Sequence, residues 1–212
     1  MGFFIRGMID IFVILIGIGA GFWFFAPAYL ANAMASIVGK LLTDKGWNAP
    51  IDFGRKWKDG KPLLGPGKTW GGLLGGALFG GITGTLEYFI VPFIDTSLIP
   101  YWADSLFLVN TPIMLIWRGF ILGFGALVGD AVKSFFKRRA GKKRGEFWFP
   151  CDQIDFVVGA IVFAIPFLWP VPIETLLVLM AFILISIPIH IAGNSIAYKL
   201  KIKEPNPPTG EE

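Results

Sequence analysis

Residues 110–144 read NTPIMLIWRGFILGFGALVGDAVKSFFKRRAGKKR, an apolar run that passes without a break into a dense set of cations. The apolar part, 110–131, is long enough to cross a hydrocarbon core of about 30 Å as a helix, which takes roughly 20 residues. The basic part is Lys133, Lys137, Arg138, Arg139, Lys142, Lys143 and Arg144. It marks the end of the span that stays in the cytoplasm, because Lys and Arg concentrate in loops that are not translocated. A second stretch carries Lys40, Lys45, Arg55, Lys56, Lys58, Lys61 and Lys68, so the two hold 14 of the 19 Lys and Arg.

Four further apolar runs, 8–30, 70–94, 153–171 and 174–198, have the length of a span. A chain of 212 residues that is 54% hydrophobic and only 16% charged is too apolar for one soluble domain. The expected fold is therefore an all-α integral membrane protein of the cell membrane. It has five transmembrane helices, the amino terminus outside, the carboxy terminus cytoplasmic, and two basic cytoplasmic loops. The connection from Pro92 to Asn110 then lies outside, with Asp95 and Asp104 and no Lys or Arg, as does the uncharged turn at Pro170. Lys199, Lys201 and Lys203 return to the cytoplasm, and only Arg6 breaks the rule. Residues 1–203 read as one transmembrane catalytic domain. The Pro-rich segment 204–212 lacks apolar periodicity and is expected to be a disordered tail.

Ala31-Asn32-Ala33 matches a signal-peptidase pattern, but the preceding run is longer and more aromatic (Phe22, Trp23, Phe24, Phe25) than a signal core. The net charge of +4 is explained by the basic membrane face without nucleic acid, for which no binding module is visible. The lone Cys151 excludes an internal disulfide and a cysteine metal site. Gly72, Gly76, Gly80 and Gly84 form a small-residue stripe, and Gly119, Gly123, Gly125 and Gly129 continue the spacing in the next span; both predict close helix contacts.

Asp130, Lys133, Ser134 and Lys137 fall at i, i+3, i+4 and i+7, on one face of a helix leaving the membrane. Asp152 and Asp155 are three apart at the start of the next span. Acids at membrane depth are costly and usually functional. Three carboxylates meeting there suit Mg²⁺, which takes hard oxygen ligands shared with substrate phosphates. Against this, Asp152 alone has the position of a helix cap. Gly65-Pro66-Gly67-Lys68-Thr69 resembles half of a P-loop, where amides at a helix start cradle phosphate. Pro62 stands where the first glycine belongs, so a P-loop NTPase is not indicated. His190, Asn194 and Tyr198 form a polar stripe on the last span, Asn32 ends the first, and Glu87 and Arg118 are deep charges able to pair. If Arg118, Glu87 and His190 lined a pathway, the chain would be a small transporter or ion-coupled carrier. The clustering of polar residues at one edge, away from the midplane, opposes that reading.

Ser134-Phe135-Phe136-Lys137-Arg138, with Gly129-Asp130 ahead and Pro150, Asp152, Gln153, Ile154 and Asp155 behind, resembles the signature of membrane CTP:phosphatidate cytidylyltransferases, the CDP-diacylglycerol synthases. Pro66-Gly67-Lys68-Thr69-Trp70 is similar to a second block of that family. The five-span length, Pro27 and Asn32, and Pro50-Ile51-Asp52-Phe53-Gly54 are closest to its short archaeal branch, the CDP-archaeol synthases. The similarity covers most of residues 26–203. Where other members carry His-Gly-Gly, this chain has Phe149-Pro150-Cys151-Asp152, which also points to the archaeal branch.

The resemblance implies an Mg²⁺-dependent transfer of CMP from CTP to a membrane lipid phosphate, an unsaturated isoprenoid-ether glycerol phosphate, with release of pyrophosphate. It implies metal ligation by Asp130, Asp152 and Asp155, which with Lys68 form the catalytic set. Phosphate contacts map onto Lys68, Thr69, Ser134, Lys137 and Arg138, and lipid-side or cavity roles onto Asn32, Asp52, His190 and Asn194. CTP and the lipid are the expected partners, with a homodimer as the candidate assembly.

Overall fold

The computed structural model describes residues 2–95, 99, 101–107, 111–143 and 146–199. The expected tail, 204–212, lies outside them. The elements in chain order are α1 (Gly2–Asp44), α2 (Trp70–Ile90), α3 (Asp104–Phe107), α4 (Met114–Arg139), α5 (Cys151–Leu168) and α6 (Ile173–Lys199). Short 3-10 turns stand at Val91–Phe93 and Tyr101–Ala103. Among the described residues pairing between extended segments is confined to isolated bridges in the loop from α1 to α2, Pro50 with Thr69 and Lys56 with Pro62.

Among the described residues four helical segments are long and apolar enough to cross a membrane: Ile14–Asp44, Trp70–Phe93, Met114–Arg139 and Ile173–Ile196. The expected fourth span is present as α5 but is not among them. Its 18 residues rise about 27 Å, at the lower edge of a hydrocarbon core. The first span also differs from expectation, since α1 does not stop near residue 30. Residues 31–44 contain no Pro and one Gly, so nothing breaks the helix before Gly46. Gly46 adopts φ +72° and closes a Schellman turn, its amide bonding to the Thr43 carbonyl and that of Trp47 to the Leu42 carbonyl, each at 2.9 Å. Asn32 is thus interior to α1 and not a cap. The same device ends α4, where Gly141 (φ +76°) lets Lys142 N donate to the Lys137 carbonyl.

The two faces of α2 are inverted relative to a helix in water. Gly72, Gly76, Gly80 and Gly84 are buried, while Leu74, Leu78, Ile82 and Leu86 are exposed. A helix that turns its branched apolar residues outward and its glycines inward is packed for lipid, where close backbone contact drives association. A Cβ added at Gly80 would stand 2.6 Å from the Gly119 carbonyl oxygen, and one at Gly76 2.7 Å from that of Ala31. α2 is therefore pressed against both α4 and α1. Ala31 is fully buried at this contact, inside a helix that runs through the cleavage-like tripeptide.

A second glycine crossing joins α4 to α5. Cβ atoms at Gly125 and Gly129 would strike the backbone of Gly159 and the Asp155 carbonyl. This contact sets Asp130 beside Asp155, so the packing of two apolar helices fixes the spacing of two acids. Gly159→Ala would bring its Cβ to 2.7 Å from the Gly129 Cα. Forcing the helices apart should destabilise the protein by about 1–3 kcal/mol, read as a lower melting temperature in detergent. Gly193→Ala, where an added Cβ meets nothing within 4 Å, is the neutral control. Equal melting of the two variants would refute the close crossing.

Candidate functional site

The site lies where the start of α2, the basic end of α4 and the start of α5 meet. Its centre is an ammonium. Lys133 Nζ stands 3.2 Å from Asp130 Oδ1, 2.8 Å from Asp152 Oδ1 and 3.0 Å from Asp155 Oδ2. The three expected carboxylates do converge, then, but on a lysine. Among the described residues no group of three or more His, Cys, Asp or Glu side chains is arranged to hold a metal ion as it stands. The chemistry of the donor set nevertheless fits a hard divalent cation, because every group facing Lys133 is a carboxylate oxygen.

Two more lysines complete the cluster. Lys68 Nζ donates to Asp130 Oδ2, and Lys137 Nζ lies 2.8 Å from Asp152 Oδ2. Three ammonium groups and three carboxylates meet within one network, most of it shielded from solvent. Lys133 and Lys137 reach Asp152 together because they are one turn apart on α4, as the i, i+4 spacing requires. Ser134 is buried on the same face.

Asp152 does not cap α5. The residue at that position is Pro150, which offers no side-chain bond. Instead Asp152 Oδ2 accepts from Trp148 N at 2.7 Å, tying the preceding loop to the lysines. Asp155 Oδ1 accepts from Phe156 N at 2.8 Å.

The glycine-rich turn before α2 is held by other residues. Thr69 is the N-cap of α2, its hydroxyl accepting from Gly72 N at 3.2 Å. Asp52 is buried, and its two oxygens accept from Gly54, Leu64 and Gly65 amides at 2.8–3.0 Å. Burial alone would raise the Asp52 pKa, but these amides outweigh it and hold the carboxyl below its ordinary value. The sign follows: its support of the turn is complete above the ordinary carboxylate pKa and is lost only as pH falls through the lower folded value. Gly65 needs its φ of +96°, and the Arg138 side chain packs against it.

Arg139, to which the sequence alone assigns no role, clamps this loop onto α4. Its guanidinium reaches Asp59 (3.1 Å), the carbonyls of Lys61, Pro62 and Leu63, and its own helix at Phe135. Lys61 Nζ returns a bond to the Arg139 carbonyl at 3.0 Å. Within a run of seven cations nothing in the sequence marks this one as the clamp.

Asn32 lines a cavity together with Ser36, Ile51, Lys68, Thr69 and Asp130. It joins α1 to the site. Asp52 serves the glycine-rich turn, and neither it nor His190 and Asn194 of α6 is among the residues that line that cavity. The His190 ring stands 5.6 Å from that of Phe156, edge to face. Glu87 and Arg118 do pair, at 2.5 Å, and Arg118 also donates to the Leu106 carbonyl. Both are buried in the α2–α4 contact and apart from the cluster.

The family model described as CarS-like, CDP-archaeol synthase, matches residues 11–206. The chain belongs to the CDP-archaeol synthase family. A CDP-archaeol synthase of Thermococcus kodakarensis is 40% identical over 181 residues, covering 84% of this chain and 90% of the relative. One from Methanocaldococcus jannaschii is 37% identical over 185 residues, covering 87% and 94%. A solved structure described as an intramembrane enzyme for archaeal membrane lipid biosynthesis is similar with a TM-score of 0.61 and 30% identity, covering 82% of this chain and 91% of that one. Membership in the CDP-archaeol synthase family disfavours the carrier reading, and the membrane-length helices agree with a multi-pass membrane protein.

Proposed function

We propose that the chain is a CTP-dependent cytidylyltransferase that converts a lipid phosphate of the archaeol type into CDP-archaeol. The observation that carries the residue assignment is the cluster of three lysines and three aspartates beside the α2 amino terminus. A phosphate oxygen of the lipid attacks the α-phosphorus of CTP, a new P–O bond forms, and the bond to the β-phosphate oxygen breaks to release pyrophosphate. The nucleophile is already an anion near neutral pH, so no general base is needed.

Catalysis is then positioning and charge neutralisation. Lys68 and Lys137 supply cations to the transferring and leaving phosphates, and Arg138 flanks the turn that receives them. The start of α2, capped by Thr69, adds the positive end of a helix. Asp130, Asp152 and Asp155 would hold a divalent cation, Mg²⁺ in this reading, which when bound neutralises phosphate charge. Asn32 borders the same space and contacts substrate from α1.

The reaction is tested by giving purified protein CTP with an unsaturated isoprenoid-ether glycerol phosphate or with diacyl phosphatidate, with and without Mg²⁺. CDP-lipid and pyrophosphate should form together from the ether lipid and only with the cation. Turnover of the diacyl lipid alone would overturn the lipid assignment, and no pyrophosphate from either would overturn the reaction.

We further assign five spans, with α5 as the fourth, and a cytoplasmic site in one transmembrane catalytic domain, on the strength of the positive-inside bias. In a Cys151→Ser background, cysteines at Lys58 and Lys142 should resist impermeant reagents in intact cells while one at Asp104 labels. Labelling of Lys58 and Lys142 from opposite sides would refute this topology.

A further inference from the structure

We propose that Lys133 is a resident cation that keeps the three carboxylates assembled in the metal-free protein, is displaced when a divalent ion arrives, and then offers its ammonium to a substrate phosphate oxygen. This rests on the reading of Asp130, Asp152 and Asp155 as metal ligands.

An ammonium has three N–H donors. Lys133 Nζ has three carboxylates around it at 2.8–3.2 Å, from two helices, and donates a hydrogen bond to Asp152 Oδ1, so one ammonium pairs with all three acids. The acids are held close by the glycine crossing of α4 and α5, where the Gly129 and Gly159 backbones touch. That contact leaves them little freedom to separate. Without an internal cation, three negative charges would face one another in a largely buried space, at a cost that rises as water is excluded. Lys133 removes that cost and keeps the site formed before any ligand binds.

The same geometry makes Lys133 a competitor. A divalent ion ligated by these oxygens and an ammonium at hydrogen-bond distance from all of them cannot share one centre. The lysine must leave, and its flexible four-carbon stem permits it. Asp130 and Asp152 keep second cations, Lys68 and Lys137, after it goes. The displaced ammonium loses all three carboxylate partners at once and needs new ones. Anionic phosphate oxygens entering between Lys68 and Lys137 are the acceptors at hand, whether from CTP or from the lipid. Metal loading and phosphate binding are thereby linked through one side chain that touches the metal site in one state and the substrate in the other.

The test uses the whole protein in detergent and Mn²⁺ as the probe metal. Lys133 is poorly exposed here, at 15% for its side chain, so an amine-acylating reagent read by mass spectrometry should label it weakly without metal. Mn²⁺ alone should raise that labelling at least about fivefold, the lower end of ordinary coupling between sites, while Lys142 stays constant. CTP, or in a parallel sample the lipid phosphate, should then shield Lys133 again, and the one that does so is the source of the oxygen.

In a second measurement, Lys133→Met should bind Mn²⁺ at least about fivefold more tightly by electron paramagnetic resonance, since a competing cation is gone. If Mn²⁺ binds the parent protein but leaves Lys133 labelling unchanged, the displacement is wrong whether or not Lys133→Met folds. Failure of both CTP and lipid phosphate to restore shielding overturns the handover to phosphate. Absence of Mn²⁺ binding to the parent overturns the metal reading itself, and this inference with it.

Discussion

Asp155→Asn and Asp130→Asn should each lower turnover of CTP and lipid phosphate at least about a hundredfold, more than the 10–100-fold that groups one step removed from a metal usually cost. Each substitution keeps side-chain volume and removes one of the charges now facing Lys133. Asp155 sits one turn inside α5 and is 7% exposed, so water replaces little of what is lost. Asp130 additionally serves Lys68, and losing its charge frees that lysine as well. Asp152→Asn should be milder, because the Trp148 amide and Lys137 hold that side chain from the loop side. Elution as a single species and an unchanged melting temperature would show that the variants fold. Folded variants with activity within a few-fold of the parent at saturating Mg²⁺ would remove the metal assignment.

Lys68→Ala should reduce kcat/KM for CTP by about 10²–10³, the loss of about 2.7–4 kcal/mol typical of a preorganised electrostatic group in a transition state. Lys68 projects from the turn before α2 onto α4, reaching Asp130 across 62 positions of sequence. Lys137→Ala should act in the same direction and also loosen Asp152. Lys142 is the comparison: it is equally basic but pairs with Glu146 within a partly exposed loop. A solvent-accessible pair of that kind is worth at most about 1 kcal/mol, so Lys142→Ala should leave the kinetics nearly unchanged. Equal losses at Lys68 and Lys142 would mean that diffuse surface charge binds the nucleotide and that no defined pocket exists.

The helices were legible wherever the signal is local. Apolar length marked the five long helices among the described residues, and the sequence placed the row of Asp130, Lys133, Ser134 and Lys137 correctly on one face of α4, because helical periodicity depends only on spacing. The glycine stripes on α2 and α4 were readable as contact faces for the same reason. The carboxy-terminal end of α1 was misjudged because the strongly apolar run ends before the helix does. The helix runs on past the apolar run 8–30 until Gly46 turns the chain.

What the sequence could not supply is which residues from different helices share a centre. Lys133 was visible as a member of a row, but its contacts with Asp152 and Asp155 exist only because Gly125, Gly129 and Gly159 let α4 and α5 cross with their backbones touching. The bond from Lys68 to Asp130 and the clamp of Arg139 on the 59–63 loop likewise join segments 62 and 76 positions apart in sequence. Membrane class, charge asymmetry and the acidic and basic side chains available for chemistry are thus properties of the sequence, because each follows from composition and local spacing. The cluster itself belongs to the tertiary structure, because the distance between charges on neighbouring helices is set by how closely the helix backbones pack, and no periodicity along one segment encodes that.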